Sequence, residues 1–314
     1  MKLLKPKCIN ENIVILDGLT RSGKFYLGKL MSSIIDLEYF FSSSEVERIL
    51  IAGFTGVVSP ESASALMAYA VNEEIYSKAI GRDMNLRSDD SSSILNSYEK
   101  EKYFARRESK PGWDAINKIL DENRYSVFIL HQSLMSSEIV KGAIPRPYIL
   151  NIRRHPVDLA FSWLQRGWGR RYADGDLLTF EPTFQYADSF VPYFAIDWPE
   201  EYRQSNEHDR VVKSIVYLTE KESNAIANHE GMICHIYYDH LVRNPKKEID
   251  KICAFLKKDP HDSIAKVIKK ETIDINMFSS RSDKEKQLYN NIKDKDSFEK
   301  LMSLSKAYEK SISV

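Results

Sequence analysis

The stretch ILDGLTRSGKFYLGKLM, residues 15–31, holds the residues best suited to bind a phosphate group. Gly18 to Lys24 spell G-x-x-x-x-G-K, the opening of a nucleotide-binding phosphate loop. That motif continues with Ser or Thr, whose hydroxyl holds Mg²⁺, but here the next residue is Phe25. Arg21 and Lys24 add two positive charges. The pattern favours a phosphate-binding loop rather than a turn in which glycine serves only the backbone geometry. It leaves the identity of the ligand open.

A second cluster lies in YILNIRRHPVDLAFSW, residues 148–163. An apolar run ends at Ile152, two arginines follow, and Pro156 begins a helix. Ser162 lies eight residues after Arg154, about two turns into that helix. An Arg at the end of a strand and a Ser along the next helix can contact one phosphate from two sides. We therefore expect Arg154 and Ser162 to share an anion.

Regular elements must place these two clusters side by side. Short apolar runs predict strands at 12–16, 125–130, 148–152 and 232–238. Helical periodicity lies between them, including a long helix expected over about 207–229. Buried strands that alternate with helices predict a three-layer α/β fold, in which helices flank a mostly parallel central sheet. The runs 88–93 and 166–184 are expected to be long loops.

Composition limits the classes of function. The chain of 314 residues has 45 Lys and Arg against 45 Asp and Glu, so a nucleic acid is not expected as a partner. Its three cysteines form no C-x-x-C pair, which argues against a disulfide scaffold and is typical of a reducing compartment. We see no signal peptide and no run long enough to span a membrane, and therefore expect a cytoplasmic location. The oligomeric state stays open.

Three segments together resemble the sulfotransferases that use 3′-phosphoadenosine 5′-phosphosulfate (PAPS). TRSGKF resembles the family's [PT]-[RK]-S-G-T-T segment, which holds the 5′-phosphosulfate, and RRHPVDLAFS resembles R-x-P-x-x-x-x-x-S, which holds the 3′-phosphate. IYYDHLVRNPKKEIDKICAFL, residues 236–256, is similar to a third, strand-to-helix segment of the family. The resemblance spans roughly residues 12–258 and implies the sulfotransferase version of the P-loop NTPase-like architecture.

The resemblance also implies site residues. The donor-binding residues it implies are Arg21, Ser22, Gly23, Lys24, Phe25, Arg154 and Ser162, with Arg21 near the phosphosulfate bridge. Lys24 and Phe25 replace the family's paired threonines, so hydroxyl contacts are lost and one cation is gained, and Lys24 either shares the work of Arg21 or points into solvent. Arg281, in FSSRSDK, is expected to close the 3′-phosphate site, as a basic C-terminal segment often does in the family.

The family commonly uses a His as the base, just after the strand that precedes the second motif, and His131 stands at that place in YSVFILHQSLM. A His suits this role because its ordinary pKa is near neutrality. Some branches use a Glu, so Glu61 or another loop carboxylate is the alternative, and His131 as a simple strand-end residue is another. The remaining histidines are expected to be surface or packing residues: His155, His208, His229, His235, His240 and His261.

The acceptor is not identified by the sequence. Loop residues Trp163, Arg166, Trp168, Arg170 and Arg171 suit a platform for a sugar or an anionic acceptor, but a tryptophan packed on the core beside a solvated basic helix end explains them equally well.

The resemblance implies transfer of a sulfuryl group from PAPS to a hydroxyl or amine of a small-molecule or carbohydrate acceptor, without metal and with 3′,5′-ADP as the product. We expect one domain over 1–314, with a core over about 12–258 and a C-terminal cap or lid over 259–314. The alternatives are a P-loop kinase that uses ATP–Mg²⁺ and a non-catalytic, sulfotransferase-like protein that binds the nucleotide.

Overall fold

A five-stranded parallel sheet lies at the centre of the structure, a computed structural model that describes residues 3–172, 181–226, 231–271, 273 and 275–313. The strands of these residues are β1 (Ile13–Asp17), β2 (Phe41–Ser42), β3 (Ser126–Ile129), β4 (Tyr148–Arg153), β5 (Thr183–Tyr186), β6 (Ser189–Pro192) and β7 (Ile233–Tyr237). Every residue of β1 and β3 is buried, because both faces of the sheet are covered. The parallel α/β architecture predicted from the sequence is confirmed.

The strand order places β1 in the middle of the sheet. The order is β2-β3-β1-β4-β7, and Val14 of β1 pairs with Val127 of β3 and with Tyr148 of β4. The carboxyl ends of parallel strands lie at the same edge, so the segments that follow β1, β3, β4 and β7 meet there. Those segments carry the glycine-rich loop, His131, Arg154 and Tyr238.

Helices cover both faces of this sheet. In chain order, the α-helices of the described residues are α1 (Lys24–Met31), α2 (Ser44–Phe54), α3 (Pro60–Ala79), α4 (Lys100–Arg106), α5 (Trp113–Asp121), α6 (Ser137–Ala143), α7 (Pro156–Gln165), α8 (Trp168–Arg171), α9 (Pro199–Gln204), α10 (Glu207–Ile226), α11 (Tyr238–Arg243), α12 (Pro245–Leu256), α13 (Ile264–Lys270), α14 (Arg281–Asn291) and α15 (Lys295–Ile312). None of these helices combines the length and the hydropathy needed to cross a bilayer.

Several elements differ from the sequence-based prediction. β2 was not predicted, since two residues give no periodic signal. The expected loop over 166–184 contains α8 and the start of the antiparallel β5–β6 hairpin, while 173–180 lie outside the described residues. The long helix expected over 207–229 is described as α10 up to Ile226, and His229 falls outside the described residues.

Apolar contacts on the two faces of the sheet join the layers. On one face, side chains of α1 and α12 such as Leu27 and Ile252 pack against alternate strand residues. On the other face, α2, α3 and α6 pack against Ile13, Ile15 and their neighbours. A third cluster joins α7 and α10 to the C-terminal helices and buries Leu301 of α15 completely. The C-terminal segment thus packs directly on α7, the helix that follows β4.

A buried ion cluster joins three segments of the chain near β2. Both carboxylate oxygens of Glu38 accept bonds from Arg106, at 2.7 and 2.8 Å, and one also accepts from the Arg124 Nε at 2.5 Å. Burial alone would raise the pKa of Glu38, but the two guanidinium groups outweigh it and lower that pKa to about 2. The cluster ties α4 and the start of β3 to the chain segment that leads into β2.

Candidate active site

The loop between β1 and α1 is a tight turn that depends on two glycines. Gly18 and Gly23 have φ of 132° and 111°, in the region that side chains disfavour. A Cβ on Gly18 would lie 2.3 Å from the Ile152 carbonyl oxygen, and one on Gly23 would lie 2.5 Å from the Tyr238 ring. The loop is therefore pressed against the ends of β4 and β7. This tight turn suits a loop whose backbone N–H groups face an anion.

The Lys24 ammonium group lies inside this loop rather than in solvent. Its side chain is 3% exposed, and the Nζ donates to the carbonyl oxygens of Gly18 at 2.5 Å and Leu19 at 3.0 Å. Burial lowers the pKa of Lys24 to about 8, and nearby carboxylates, Asp17 foremost, oppose that shift. Of the two possibilities that the sequence left for Lys24, the structure contradicts the one in which it points into solvent.

Arg21, Arg154 and Ser162, predicted from two separate motifs, come together above the loop. The Arg21 Nε donates to the Ser162 Oγ at 3.3 Å, and the Arg154 Nη1 donates to the Arg21 carbonyl oxygen at 2.9 Å. The Arg154 guanidinium also lies over the Tyr238 ring, 4.8 Å from its centroid. Burial and then the like charges of Arg166 and Arg154 lower the pKa of Arg21, which shows that positive charge is concentrated here.

A cavity of about 140 Å³ adjoins the loop and is lined by Ser22, Arg154, Glu222 and Tyr308 among others. Ser22 Oγ and Arg154 Nε are buried and have no hydrogen-bond partner among the described residues. Unsatisfied buried polar atoms are rare in folded proteins, and they often mark the place of a ligand or ordered water. Donors from the loop and from the end of β4 are thus available to an anion.

Trp163 supports the loop from below. It is 1% exposed, and its Nε1 donates to the Thr20 carbonyl oxygen at 2.8 Å. Gln132 donates from its Nε2 to the Thr20 Oγ1 at 3.2 Å, so residues after β3 and on α7 both hold the loop. Of the two explanations offered for Trp163, an acceptor platform or packing on the core, the structure supports packing. Arg166 and Arg170 are exposed near it.

His131 is oriented by the carboxylate of Glu47, a residue that no sequence motif identifies. The Nδ1 of His131 lies 2.5 Å from the Oε1 of Glu47, and that oxygen also accepts the His131 backbone N–H at 3.0 Å. With the Glu47 oxygen as the acceptor, the Nδ1 is assigned the proton, and the neutral ring then keeps its lone pair at the Nε2. Burial and the charge of Lys24 lower the pKa of His131, although Glu47 acts in the opposite direction.

The carboxylate that the sequence offered as an alternative base lies elsewhere. Glu61 is exposed in the first turn of α3, whereas Glu47 lies on α2 beside His131. No motif surrounds Glu47 in the sequence, so only the tertiary contact identifies it. The pair has the geometry of a general base held by an acidic partner.

A buried polar network lies beneath the loop. Asp17 Oδ1 accepts from the backbone N–H and the hydroxyl of Ser133, both at 2.6 Å. Asn151 Nδ2 donates to the Glu222 Oε1 at 2.6 Å and reaches the Asp17 Oδ2 at 3.4 Å. Burial and the neighbouring Asp17 raise the pKa of Glu222. This network fixes the ends of β1 and β4, where the phosphate loop and Arg154 begin.

Arg281 is already paired with two carboxylates. Its Nε donates to Asp158 at 2.8 Å and its Nη2 to Asp239 at 2.8 Å, and Lys284 also binds Asp158. These contacts join α14 to the first turns of α7 and α11, next to Arg154 and Tyr238. The role of Arg281 in closing a 3′-phosphate site stays a prediction.

The site combines a glycine-bounded loop, two converging arginines and a histidine held by a carboxylate on an α/β fold. Residues 130–310, more than half of the chain, match the family described as the sulfotransferase domain. The chain belongs to this sulfotransferase family.

Solved sulfotransferases resemble the structure at low sequence identity. The sulfotransferase domain from the curacin biosynthetic pathway is 12% identical, covers 95% of this chain and 98% of its own, and gives a TM-score of 0.47. A sulfotransferase from Alicyclobacillus acidocaldarius is 15% identical, with 95% and 98% covered and a TM-score of 0.43. The sulfotransferase domain of the Synechococcus PCC 7002 olefin synthase is 12% identical, with 97% and 98% covered and a TM-score of 0.43. No curated protein sequence matches the chain.

Proposed function

We propose that the protein transfers a sulfuryl group from PAPS to a hydroxyl or amine of a small-molecule or carbohydrate acceptor and releases 3′,5′-ADP. The observation that supports this proposal best is the convergence of Arg21, Arg154 and Ser162 beside a glycine-bounded loop. Two arginines and a hydroxyl from two chain segments suit a donor that carries phosphate at both its 5′ and 3′ positions. Ser22 Oγ and Arg154 Nε, buried without partners among the described residues, add donors for such a ligand.

The protein's part in the transfer is mainly electrostatic. The donor supplies a sulfuryl group, whose S–O bond to phosphate breaks as the acceptor atom attacks. Arg21 and Lys24 supply positive charge at the loop, where negative charge grows on the leaving phosphate. Arg154 and Ser162 hold the 3′-phosphate and so fix the orientation of the nucleotide. Phe25 offers no oxygen to Mg²⁺, and we propose that these cations do the work that a metal does in P-loop kinases.

His131 is the proposed general base. Its Nε2 takes the proton from the acceptor hydroxyl or amine as the new bond to sulfur forms, and Glu47 stabilises the imidazolium that results. The lowered pKa of His131 keeps the ring neutral, and hence able to accept a proton, at and above neutral pH.

Ligand-dependent unfolding tests the choice of donor. We expect 3′,5′-ADP to raise the melting temperature, since a ligand at 100 times its Kd stabilises a protein by about 2.7 kcal/mol. Transfer of ³⁵S from labelled PAPS to an acceptor panel then tests the reaction. Stabilisation by ATP–Mg²⁺ but not by 3′,5′-ADP contradicts the proposal and favours a kinase. Binding of 3′,5′-ADP without transfer to any acceptor favours the non-catalytic alternative.

A further inference from the structure

A pocket of about 310 Å³ opens beside the first turn of α1, and Phe25 forms part of its wall. The Phe25 ring is 37% exposed and meets the Phe40 ring edge-on, with 6.0 Å between centroids and an interplanar angle of 79°. Phe40 can take this position because Gly28 has no side chain, and a Cβ there would lie 2.8 Å from the Phe40 ring. The residue that replaces a hydroxyl in the phosphate loop thus faces a separate, aromatic pocket.

The opposite wall comes from the segment that follows α3. Asp83, Asn85 and Ile94 line the pocket, and the Ile94 backbone N–H donates to the Asn85 carbonyl oxygen at 2.9 Å. The Asn85 Nδ2 also donates to Ser92 at 3.0 Å, so the turn is closed by its own hydrogen bonds. The pocket therefore has walls on two sides, and its volume lies at the lower end of the range for small-molecule sites.

The pocket borders both elements that carry the proposed transfer chemistry. Phe25 directly follows Lys24 at the start of α1. Ser42, the last residue of β2, lines the pocket just before α2, and Glu47 in the first turn of α2 holds His131. Ser43 links the two, since it caps α2 and donates to the Glu74 carboxylate of the pocket at 3.2 Å. The pocket wall is therefore continuous in sequence with Lys24 on one side and with the helix that carries Glu47 on the other.

Its charges favour a cation. Of the described side chains that line the pocket, two are carboxylates, Glu74 and Asp83, and one is an ammonium, Lys78. The Lys78 Nζ lies over the Phe41 ring at 4.1 Å from its centroid, which shows that an ammonium group is accommodated on these rings. An excess of carboxylate beside the exposed Phe25 ring is an arrangement that suits an amine.

We propose that this pocket binds the acceptor and selects small aromatic compounds that carry both a hydroxyl and a protonated amine. Phe25 is a specificity residue in this assignment, because its ring packs on the acceptor instead of holding the donor's phosphate. Glu74 and Asp83 pair with the amine. The inference rests on the proposed function and names the substrate class of the same site.

Three probes of matched shape test this selection: tyramine, 4-ethylphenol and 4-hydroxyphenylacetate are cationic, neutral and anionic. With PAPS as donor, we expect kcat/KM to fall in that order, by roughly tenfold at each step for a charge in a partly exposed site. D83N and E74Q should each lower kcat/KM for tyramine more than kcat/KM for 4-ethylphenol, so that the preference for the amine shrinks. Phe25→Ala should raise KM for tyramine and for 4-ethylphenol. Equal rates for the three probes, or a preference for the anionic one, overturn the proposal.

Direct binding keeps this test independent of turnover. In calorimetric titration of protein saturated with 3′,5′-ADP, tyramine should bind more tightly than 4-ethylphenol, and D83N should reduce the difference. The affinity for 3′,5′-ADP should be the same in D83N and in the unaltered chain, which shows that the fold and the donor site are intact. Loss of 3′,5′-ADP binding in Phe25→Ala, with tyramine binding retained, assigns Phe25 to the donor and overturns its role here. If the unaltered chain binds tyramine in this Asp83-dependent way but does not use PAPS, the proposed function fails and the pocket assignment stands.

Discussion

The Arg21 side chain reaches from the loop after β1 to Ser162 on α7, with 3.3 Å between its Nε and the serine Oγ. These residues are 141 positions apart in the chain. The contact exists because β1 and β4 are adjacent parallel strands whose carboxyl ends meet at the same edge. Arg154, at the end of β4, closes the group by donating to the Arg21 backbone.

We expect Arg154→Ala and Ser162→Ala to weaken the binding of 3′,5′-ADP without unfolding the protein. A charge-assisted hydrogen bond contributes about 1.5–3 kcal/mol, so the loss of Arg154 should raise Kd by roughly tenfold or more. The neutral Ser162 hydroxyl should have a smaller effect. Calorimetric titration measures Kd, and circular dichroism follows the melting temperature.

Arg87→Ala is a matched control for Arg154→Ala. Arg87 is exposed in the segment before Ile94 and pairs only with Asp90 among the described residues, at 3.6 Å. Its removal should leave Kd unchanged. Unchanged affinity in both Arg154→Ala and Ser162→Ala would mean that the 3′-phosphate lies elsewhere.

His131→Ala should lower kcat by about 10²–10⁴, the usual contribution of a general base. Because burial and Lys24 lower the pKa of His131, kcat/KM should begin to fall with decreasing pH only below 6.5, the ordinary value. Glu47→Gln removes the group that raises this pKa, so the acid limb should move to lower pH while the plateau also falls. Rate–pH profiles at saturating donor measure both effects.

His131→Ala and Glu47→Gln should both bind 3′,5′-ADP as tightly as the unaltered chain, since neither residue contacts Arg21 or Arg154. If kcat on the plateau is unchanged in His131→Ala, a carboxylate and not His131 is the base. Glu61→Gln then tests the alternative that the sequence offered.

Lys24→Met should change how stability depends on pH. The folded-state pKa of Lys24 is about 8, below its ordinary value of 10.5, so the unfolded chain binds more protons between those values. That imbalance makes the contribution of Lys24 to folding more favourable as pH rises from about 8 toward 10.5. Between pH 8 and 10, the unfolding free energy of the unaltered chain should therefore rise relative to that of Lys24→Met by on the order of 2 kcal/mol. Urea unfolding at several pH values measures it, and a pH-independent difference contradicts the burial of an ionisable ammonium.

Glu38→Gln should destabilise the fold by about 3–5 kcal/mol, because it leaves the buried Arg106 without its carboxylate partner and removes one from the buried Arg124, which still pairs with Glu99. The pKa of Glu38 is about 2 in the fold and 4.5 ordinarily. Its stabilising effect is therefore present above 4.5 and is lost as pH falls toward 2. In thermal melts of both chains from pH 3 to 7, the difference in melting temperature should narrow below pH 4.5 and still be present at pH 3. Glu200→Gln, which breaks an exposed pair with Arg203, is the control and should leave the melting temperature nearly unchanged.

The alternation of apolar strands and helices was sufficient to predict the parallel α/β fold. The strand runs at 12–16 and 148–152 correspond closely to β1 and β4, because a strand buried on both faces is mostly apolar. β2 escaped prediction because its pairing with β3 comes from the sheet and not from its own two residues. The glycine-rich loop and R-x-P-x-x-x-x-x-S indicated the family, since both motifs are local in sequence.

Only the tertiary structure decided which distant residues contact one another in the site. The sequence could not select Glu47, because nothing in the local pattern distinguishes it from the other carboxylates on exposed helices. It left Lys24 between the site and solvent, and the fold buried its ammonium group against two loop carbonyls. It placed Phe25 with the phosphate loop, whereas the packing of its ring on Phe40 turns it toward another pocket. Local motifs fix which backbone turns can form, but the direction of a side chain and its partners depend on contacts between segments far apart in the chain.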